Sequence, residues 1–316
     1  MANQPRHRIV LGRVIGPDIA NSWRARLVPG ATVFSAIARD VLSRRLTDGG
    51  PATDQGAADL YARRDDGPIV NRCSVVVSDP AGAMVGVGPL LRLDKWIAGQ
   101  VDEAAAGNDF TDDSVDARDA TAADVPVLIN GAGGGFGAAD GILFGATERF
   151  SLLRLTCSTA DGGGGTIQIR YWSGAAWAAL TALASTGTFG AAGTILGATG
   201  LREILFDLPS DATASTAGAP AEGIPAGYFL VRIDYTVAPG VAPVLSRVDM
   251  GDPLMLRAIG VGADTTADLV RGEDSPLLAG DAGDGVVVAW TAAEADNYAY
   301  VQGEDVGVVR TIGTVA

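Results

Sequence analysis

Histidine, lysine and cysteine are almost missing from this sequence of 316 residues. It contains one histidine (His7), one lysine (Lys95) and two cysteines (Cys73 and Cys157). A lone histidine near the N-terminus leaves Ser-His-Asp and Cys-His catalysis without a general base and supplies too few nitrogen ligands for a zinc-type site. Two cysteines cannot form a disulfide framework. We therefore predict two free thiols buried in strands, no metal, no cofactor and no enzymatic activity.

Long apolar runs are also missing. No stretch approaches the ~18 apolar residues of a membrane-spanning helix. The apolar run near the N-terminus is interrupted by Arg13 and Pro17, which does not match a secretory signal peptide. We expect a chain that does not enter a membrane and is assembled in the cytoplasm.

Charge is scarce and unevenly distributed. Charged residues make up 19% of the sequence, below the typical ~25%. Residues 1–100 carry a net charge of +4, and residues 101–316 carry −18. The acidic part should repel nucleic acid and anionic membranes, so neither is an expected partner. The mildly basic N-terminal third suits an acidic protein surface.

Glycine and β-forming residues are abundant. The sequence contains 43 glycines and 47% hydrophobic residues, a composition that favours short strands and many turns. Between Val125 and Asp252, apolar segments follow one another at short intervals, which predicts an antiparallel β-sandwich or jelly roll. The clearest strands are predicted at residues 141–145, 150–157, 166–172, 201–208 and 228–235, with a hairpin tip at 161–165 and a long surface loop at 209–226.

The flanking segments differ from this central part. Residues 1–104 predict a mixed α+β domain that docks onto a partner. Residues 105–125 are acidic and almost without large apolar side chains, which favours a linker or extended arm. The division is therefore 1–104, 105–125, a β-sandwich at 126–252, and a β-rich C-terminal subdomain or arm at 253–316.

One segment of the N-terminal part has helical spacing. Phe34, Ile37 and Val41 recur at i, i+3 and i+7, which predicts a helix over residues 32–46. Beside this apolar stripe lie three arginines, which can pair bidentately with carboxylates of a partner. The candidate docking residues are Arg39, Arg44 and Arg45.

A glycine-rich motif follows the first central strand. Gly133, Gly135 and Ala138 match Gly-x-Gly-x-x-Ala, in which glycines let a pyrophosphate approach a helix N-terminus. The residues after it, beginning with Asp140-Gly141, predict another strand. Without a helix there is no helix dipole for the phosphates, so we interpret the motif as a turn.

Acidic residues are numerous but not specifically spaced. Glu203, Asp207 and Asp234 are candidates for the paired carboxylates of a glycosidase, and the favoured interpretation is solvated surface acids. Asp281 and Asp284, together with the run from Asp109 to Asp119, offer oxygens for calcium. Neither group has the spacing of a known calcium loop.

Aromatic residues concentrate in the central part. Tyr171, Trp172 and Trp177 offer a platform for a sugar ring, but alternation along a strand places Tyr171 and Trp172 on opposite faces. We therefore expect one of these two, with Trp177, to lie in the core. The candidate core residues are Trp172, Trp177 and Tyr228.

The stretch from Asp140 to Asp252 contains two motifs in a fixed order. They are Ile167-Gln-Ile-Arg-Tyr-Trp-Ser-Gly-Ala-Ala-Trp-Ala-Ala-Leu-Thr and Gly223-Ile-Pro-Ala-Gly-Tyr-Phe-Leu-Val-Arg-Ile. Together they resemble a β-sandwich module of tailed-bacteriophage virion proteins. In the module, a Tyr-Trp-(Asn/Ser)-Gly-x-x-Trp-x-x-Leu hairpin precedes a Gly-Tyr-(Trp/Phe)-x-x-Arg-(Ile/Val) strand. About a third of the chain is covered, and no catalytic residues come with the match.

The resemblance implies a structural protein of the virion, assembled in the host cytoplasm. We expect a capsid decoration or cement protein that binds the major capsid protein or other virion proteins and forms a homo-oligomer, with a trimer suggested by the symmetry of such shells. The alternative is a tail or host-adsorption protein that binds cell-surface glycans through the sandwich. A glycan-cleaving enzyme is the least favoured class.

Overall fold

The computed structural model describes most of the chain. The described residues are 8–10, 13–15, 21–27, 29, 34–39, 68–78, 82–91, 93–102, 109–118, 125–128, 140–162, 165–253, 257–261, 265–270, 277–278, 283–292 and 296–305.

The protein is mainly β, as predicted. Among the described residues, strands account for most of the chain, and the helices are one 3-10 turn and one short α-helix. The strand pairs of the described ranges are antiparallel, as expected where short turns join neighbouring strands. Within those ranges, no helix has the length and apolar character needed to cross a membrane.

A seven-stranded sheet contains the predicted hairpin. Its order is β13-β12-β17-β10-β7-β8, and β15 also pairs with β12. The alternation of apolar side chains in Ile167, Ile169 and Tyr171 matches the two-residue period of a strand with one face in the core. Its strands are β7 (Trp96–Asp102), β8 (Asp109–Asp112), β10 (Asp140–Ala146), β12 (Thr166–Trp172), β13 (Trp177–Ala179), β15 (Gly190–Ala191) and β17 (Phe229–Val237).

A nine-stranded sheet lies beside it. Its order is β14-β16-β11-β18-β6-β22-β4, with β19 paired to β6 and β9 paired to β18. Its strands are β4 (Ser35–Arg39), β6 (Ala83–Leu91), β9 (Val125–Pro126), β11 (Leu152–Thr159), β14 (Ala182–Ser185), β16 (Gly200–Phe206), β18 (Val244–Gly251), β19 (Arg257–Val261) and β22 (Gly283–Trp290).

Two smaller sheets complete the described strands. A five-stranded sheet has the order β20-β5-β23-β3, with β21 paired to β5, and a two-stranded sheet joins β1 to β2. These strands are β1 (Arg8–Val10), β2 (Arg13–Ile15), β3 (Asn21–Leu27), β5 (Pro68–Val77), β20 (Thr265–Val270), β21 (Leu277–Leu278) and β23 (Tyr298–Asp305). The short helices are a 3-10 turn (Leu93–Lys95) and α1 (Ser114–Arg118).

The largest core cluster joins the seven-stranded and nine-stranded sheets. Ile142 and Phe144 of β10 and Ile233 of β17 share it with Leu153 of β11 and Ile204 of β16. Alternate residues of each strand therefore face the partner sheet, and burial of this apolar surface holds the two sheets together.

The nine-stranded sheet also packs against the five-stranded sheet and against itself. Val286, Val288 and Trp290 of β22 share a cluster with Val75 of β5. On the opposite face of β22, Val287 shares a cluster with residues of β4, β11 and β16. Because β4 and β16 are far apart in the strand order, this sheet curls into a half-barrel.

The prediction of a helix over residues 32–46 is wrong at Ser35–Arg39, and residues 32–33 and 40–46 lie outside the described residues. Ser35–Arg39 is strand β4 and pairs with β22, with Ile37 opposite Val287. Phe34 and Ile37 are spaced as on one face of a helix, but the same two side chains also pack into the apolar cluster that contains Val287. In so short an apolar window, pairing with a buried neighbouring strand overrides the helical period.

Strands from different predicted domains pair with one another in the same sheets. Strand β7, from the N-terminal part, pairs with β10 of the central part, and β22, from the C-terminal part, pairs with β6. Residues 109–118, assigned to a linker by composition, form β8 and α1, and α1 packs against β18 and β7. Independent folding of the predicted domains stays a prediction.

Two loop predictions also need correction. Residues 161–165 are not a hairpin tip, because β11 and β12 belong to different sheets and this segment connects them. The loop at 209–226 is not entirely on the surface. Its Ser215, Glu222 and Ile224 are buried, and Ile224 packs on the outer face of the seven-stranded sheet.

Candidate functional site

The hairpin of β12 and β13 is held by a tight turn. Trp172 pairs with Trp177, and the Ser173 backbone N–H donates to the Ala176 carbonyl at 3.1 Å. Gly174 has φ +90°, and a Cβ there would lie 2.4 Å from Thr213 Oγ1. Glycine at position 174 of the motif is therefore favoured both by the backbone conformation and by the close approach of Thr213 from the 209–226 loop.

The two tryptophans of the hairpin pack on each other and on the outer face of the seven-stranded sheet. Their rings meet edge to face with centroids 5.6 Å apart. Trp172 is buried in a cluster with Leu143 and Leu230, against which the partly buried Trp177 and Tyr228 pack. Tyr171 lies on the other face of the sheet, in the large core cluster. Tyr171 and Trp172 therefore lie on opposite faces, as strand alternation predicts.

Four charged side chains lie next to these aromatic rings, and we call them the charge network: Arg170, Glu222, Arg232 and Asp234. Arg232 is its centre, with Nη1 3.3 Å from Glu222 Oε1 and Nε 2.8 Å from Asp234 Oδ2. Its guanidinium also lies over the Trp177 ring, 4.4 Å from the centroid. The two arginines and two carboxylates balance each other in charge.

Strand register brings three members of the charge network together. Arg170 is paired with Arg232, and Gln168 with Asp234, across β12 and β17. The Arg170 Nε donates to Asp234 Oδ2 at 2.7 Å. Burial raises the pKa of Asp234, while Arg232, Arg170 and a hydrogen bond from Gln168 lower it.

The fourth member comes from the loop. Trp177 Nε1 donates to Glu222 Oε1 at 2.8 Å, and the Phe110 backbone N–H donates to the Glu222 carbonyl at 2.9 Å. Glu222 thus connects the hairpin, the central strand β17 and the edge strand β8. Its side chain is 5% exposed, against 2% for Arg232 and 0% for Asp234.

This arrangement favours packing over catalysis. Proton transfer or nucleophilic attack needs a carboxylate within reach of a substrate. In the charge network each carboxylate is instead buried and paired with arginine. Such a network stabilises one arrangement of hairpin, loop and strand, because removal of any partner leaves an uncompensated buried charge.

The three acids considered for glycoside cleavage are not brought together. Asp234 lies in the seven-stranded sheet, Glu203 lies in the nine-stranded sheet, and Asp207 is exposed. The interpretation of all three as surface acids is wrong for Glu203 and Asp234, which are fully buried.

Glu203 of β16 connects one side of the curled sheet to the residues at the start of β4, the end strand on the other side. Its Oε2 accepts the backbone N–H groups of Phe34 at 2.7 Å and Ser35 at 3.0 Å. Its Oε1 accepts the Ser35 hydroxyl at 2.5 Å and Arg154 Nε at 2.9 Å. One carboxylate therefore fixes the start of β4 to β16, 168 residues away along the chain.

The candidate docking residues are only partly placed. Arg39 is the last residue of β4, the strand at one end of the nine-stranded sheet. Arg44 and Arg45 lie outside the described residues. Their role in docking stays a prediction.

The remaining motifs are only partly described. Gly133, Gly135 and Ala138 lie outside the described residues, and the segment that follows them is strand β10, as predicted. Asp281 also lies outside them, and Asp284 is the second residue of strand β22. Within the described ranges, no three His, Cys, Asp or Glu side chains group as metal ligands.

Both cysteines are free and buried in strands, as predicted. Burial raises the pKa of the Cys73 thiol to about 12 and that of Cys157 to about 11, with nearby Asp268 and Asp161 adding to the respective shifts. Neither thiol is suited to act as a nucleophile, because the reactive form is the thiolate.

Sequence reasoning missed three members of the charge network as a site. Arg232 is the arginine of the Gly-Tyr-(Trp/Phe)-x-x-Arg-(Ile/Val) pattern, and its place in a strand of apolar residues signals a buried charge that needs a partner. Arg170 lies opposite Arg232 on the neighbouring strand β12. Glu222 gave no signal, because it lies in a loop of small residues.

No protein-family model, curated protein or solved structure matches this chain. Its function is therefore inferred from its own residues.

Proposed function

We propose that the chain is a non-enzymatic structural protein of a bacteriophage virion, assembled in the host cytoplasm, and that it decorates the capsid. The observation that carries the proposal is the use of the motif residues. Trp172, Trp177, Tyr228 and Arg232, which define the hairpin and strand pattern of the virion module, all contact one another or the same cluster. A motif whose residues all take part in internal packing suits a module with a structural role, which holds its shape and attaches to a partner.

The finer architecture belongs to the same proposal. The seven-stranded sheet and the adjoining half of the nine-stranded sheet share one core, which supports a β-sandwich of the jelly-roll type around residues 126–252. The main difference from the motif-based expectation is that strands from residues 1–104 extend both sheets and strands from residues 253–316 extend the nine-stranded sheet. We therefore place the sandwich at the centre of a larger β structure.

Attachment to the shell is assigned to the N-terminal third. Its net charge of +4 contrasts with −18 for the rest of the chain, and an acidic capsid surface would attract it. Arg39, at the end of β4, with Arg44 and Arg45 after it, would pair with carboxylates of the major capsid protein. Such charges mainly affect the rate and the salt dependence of association.

Quantitative mass spectrometry of purified phage particles tests the proposal. A head protein is expected at on the order of hundreds of copies per particle, because icosahedral shells repeat their subunits many times. A count of a few to a few dozen would assign the chain to the tail and favour the alternative, glycan binding during host adsorption. Absence from particles would refute a virion role altogether.

A binding experiment with the full-length chain tests the docking residues. Undecorated particles are incubated with wild type, with Arg44→Glu/Arg45→Glu, and with the control Arg202→Glu, whose guanidinium donates to the Ala198 and Thr199 carbonyls outside the N-terminal third. We expect weaker binding of the double variant, most clearly at low salt, and normal binding of the control. Equal binding of all three would move the docking surface away from the N-terminal third.

A further inference from the structure

Three pairs of consecutive strands each give one strand to the five-stranded sheet and one to the nine-stranded sheet. They are the N-terminal pair (β3–β4), the β5–β6 pair and the C-terminal pair (β22–β23). The C-terminal pair takes the middle place in both sheets, with β23 between β5 and β3, and β22 between β6 and β4. It therefore connects the N-terminal pair to the β5–β6 pair in both sheets at once.

The N-terminal pair depends on the C-terminal pair for its ladder hydrogen bonds. Among the strands that the structure describes, β3 pairs only with β23, and β4 pairs only with β22. Strand β22 is buried over Val286–Trp290, and its Val287 shares a cluster with Phe34 at the start of β4. Outside the ladder, Glu203 holds the start of β4. Departure of the C-terminal pair would thus leave both N-terminal strands without their paired neighbour.

The connection between β22 and β23 is fixed to the connection between β5 and β6. The Thr291 N–H donates to the Met84 carbonyl at 2.9 Å, and the Thr291 hydroxyl accepts the Met84 N–H at 2.9 Å. Asn297, which is fully buried, accepts the Ser78 N–H at 2.8 Å through Oδ1 and donates to the Ala292 carbonyl at 3.2 Å. Because one short connection is anchored at the end of β22 and at the start of β23, we expect the two strands to move together.

The central core is complete without these four strands. Every residue of the largest core cluster lies in the range from Leu91 to Met250, and β3, β4, β22 and β23 lie outside this range. Pairing of β4 with β22 instead joins distant residues such as Ala36 and Val288. Closing so long a loop costs conformational entropy, and such non-local contacts form late. Elements of this kind can open while the rest of a protein stays folded.

We propose that the C-terminal pair is a clasp for the N-terminal pair, and that the four strands open and close as one unit while the core from Leu91 to Met250 stays folded. The clasp follows from strand order and from the composition of the core, and it does not depend on a virion role. Its use rests on the proposed function. Arg39 is the last residue of β4, so only the closed clasp fixes where this docking residue leaves the sheet.

Native-state hydrogen exchange of the full-length chain tests the clasp. Exchange is followed by mass spectrometry over a series of low urea concentrations, without particles. Peptides of β3, β4, β22 and β23 should share one opening transition, at lower urea than peptides of β10, β12 and β17. Because no partner is present, a negative result would count against the clasp and not against the proposed function.

Two variants test whether the two sheets open together. Val287→Ala removes buried methyl groups from β22 in the nine-stranded sheet, and Val301→Ala removes them from β23 in the five-stranded sheet. Each should increase exchange about tenfold or more in all four strands, including those of the other sheet, because the closed clasp loses packing. The matched control Val231→Ala removes the same groups from β17 in the central core and should leave the opening of the four strands unchanged.

Two results would overturn the proposal. One is exchange of the four strands only together with the central strands, and the wild-type protein decides this even if a variant does not fold. The other is an effect of each variant that is confined to the strands of its own sheet, because the sheets would then open independently.

Discussion

Replacement of Arg232 by alanine tests the role assigned to the charge network. Its guanidinium pairs with Glu222 and Asp234, both nearly or fully buried, and lies over the Trp177 ring. Breaking a buried ion pair by removing one partner costs about 3–5 kcal/mol, and a partly desolvated cation–π contact adds about 1–2 kcal/mol. These contributions share one side chain and are not additive. We expect a loss of about 4 kcal/mol in the free energy of unfolding.

Urea denaturation and thermal melting measure this loss. In a chain of this size 1 kcal/mol corresponds to about 2 °C in Tm, so Arg232→Ala should lower Tm by about 8 °C. Arg232→Lys keeps the charge but loses the planar fork that contacts both carboxylates, and it should lie between alanine and wild type.

The matched control is Arg247→Ala. Arg247 Nε lies 3.2 Å from Asp249 Oδ1, and the Arg247 side chain is 25% exposed. Pairs in contact with solvent contribute about 0–1 kcal/mol, so this variant should barely change Tm. If Arg232→Ala were no more harmful than Arg247→Ala, the charge network would not be the structural element described above.

Three further predictions concern other buried groups. Burial raises the pKa of Cys73 to about 12 and of Cys157 to about 11, so neither thiol should react with a disulfide reagent at pH 8 in the folded protein. Both thiols should react once the protein is unfolded in guanidinium. Rapid labelling of the native chain would contradict this prediction. Glu203→Ala leaves two backbone N–H groups and an arginine without their acceptor, and it should lower the free energy of unfolding in urea by about 3 kcal/mol. Replacement of the exposed Asp207 by alanine should barely change it. Equal effects of the two variants would show that Glu203 does not connect β16 to β4. Trp177→Ala should lower stability by about 3 kcal/mol, and a variant with unchanged Tm that no longer binds glycan would favour the adsorption function.

Local sequence patterns predicted most of the central strands. The alternation in Thr166–Trp172 and the apolar run in Leu152–Thr159 each gave a strand close to the observed bounds. These patterns work because side chains of a strand alternate between faces, and a buried face must be apolar. The Ser-Gly turn of the hairpin was visible for a similar reason, since its backbone conformation requires glycine.

Pairing between distant strands was not predictable in the same way. Strand β7 lies beside β10, and β22 lies between β6 and β4, although nothing in their sequences selects these neighbours. Apolar strands from all parts of the chain have similar composition, so composition alone assigned them to separate domains. The helix predicted at 32–46 failed for the same reason, because pairing of Ser35–Arg39 with β22 decided its conformation.

Buried charges show most clearly what a single sequence leaves open. Arg232 stands among apolar residues of β17, and a charge in such a place must have a partner. Its position in the motif was visible, but its partners come from three places: Asp234 from its own strand, the Trp177 ring from the hairpin, and Glu222 from a loop of small residues that suggested only a surface connection. Glu222 resembles a solvated acid in sequence because its burial depends on the loop folding over the hairpin, and the loop folds there because Arg232 and Trp177 bind that carboxylate. Residue and environment determine each other, so the charge network could be inferred only once both strands and the loop were placed.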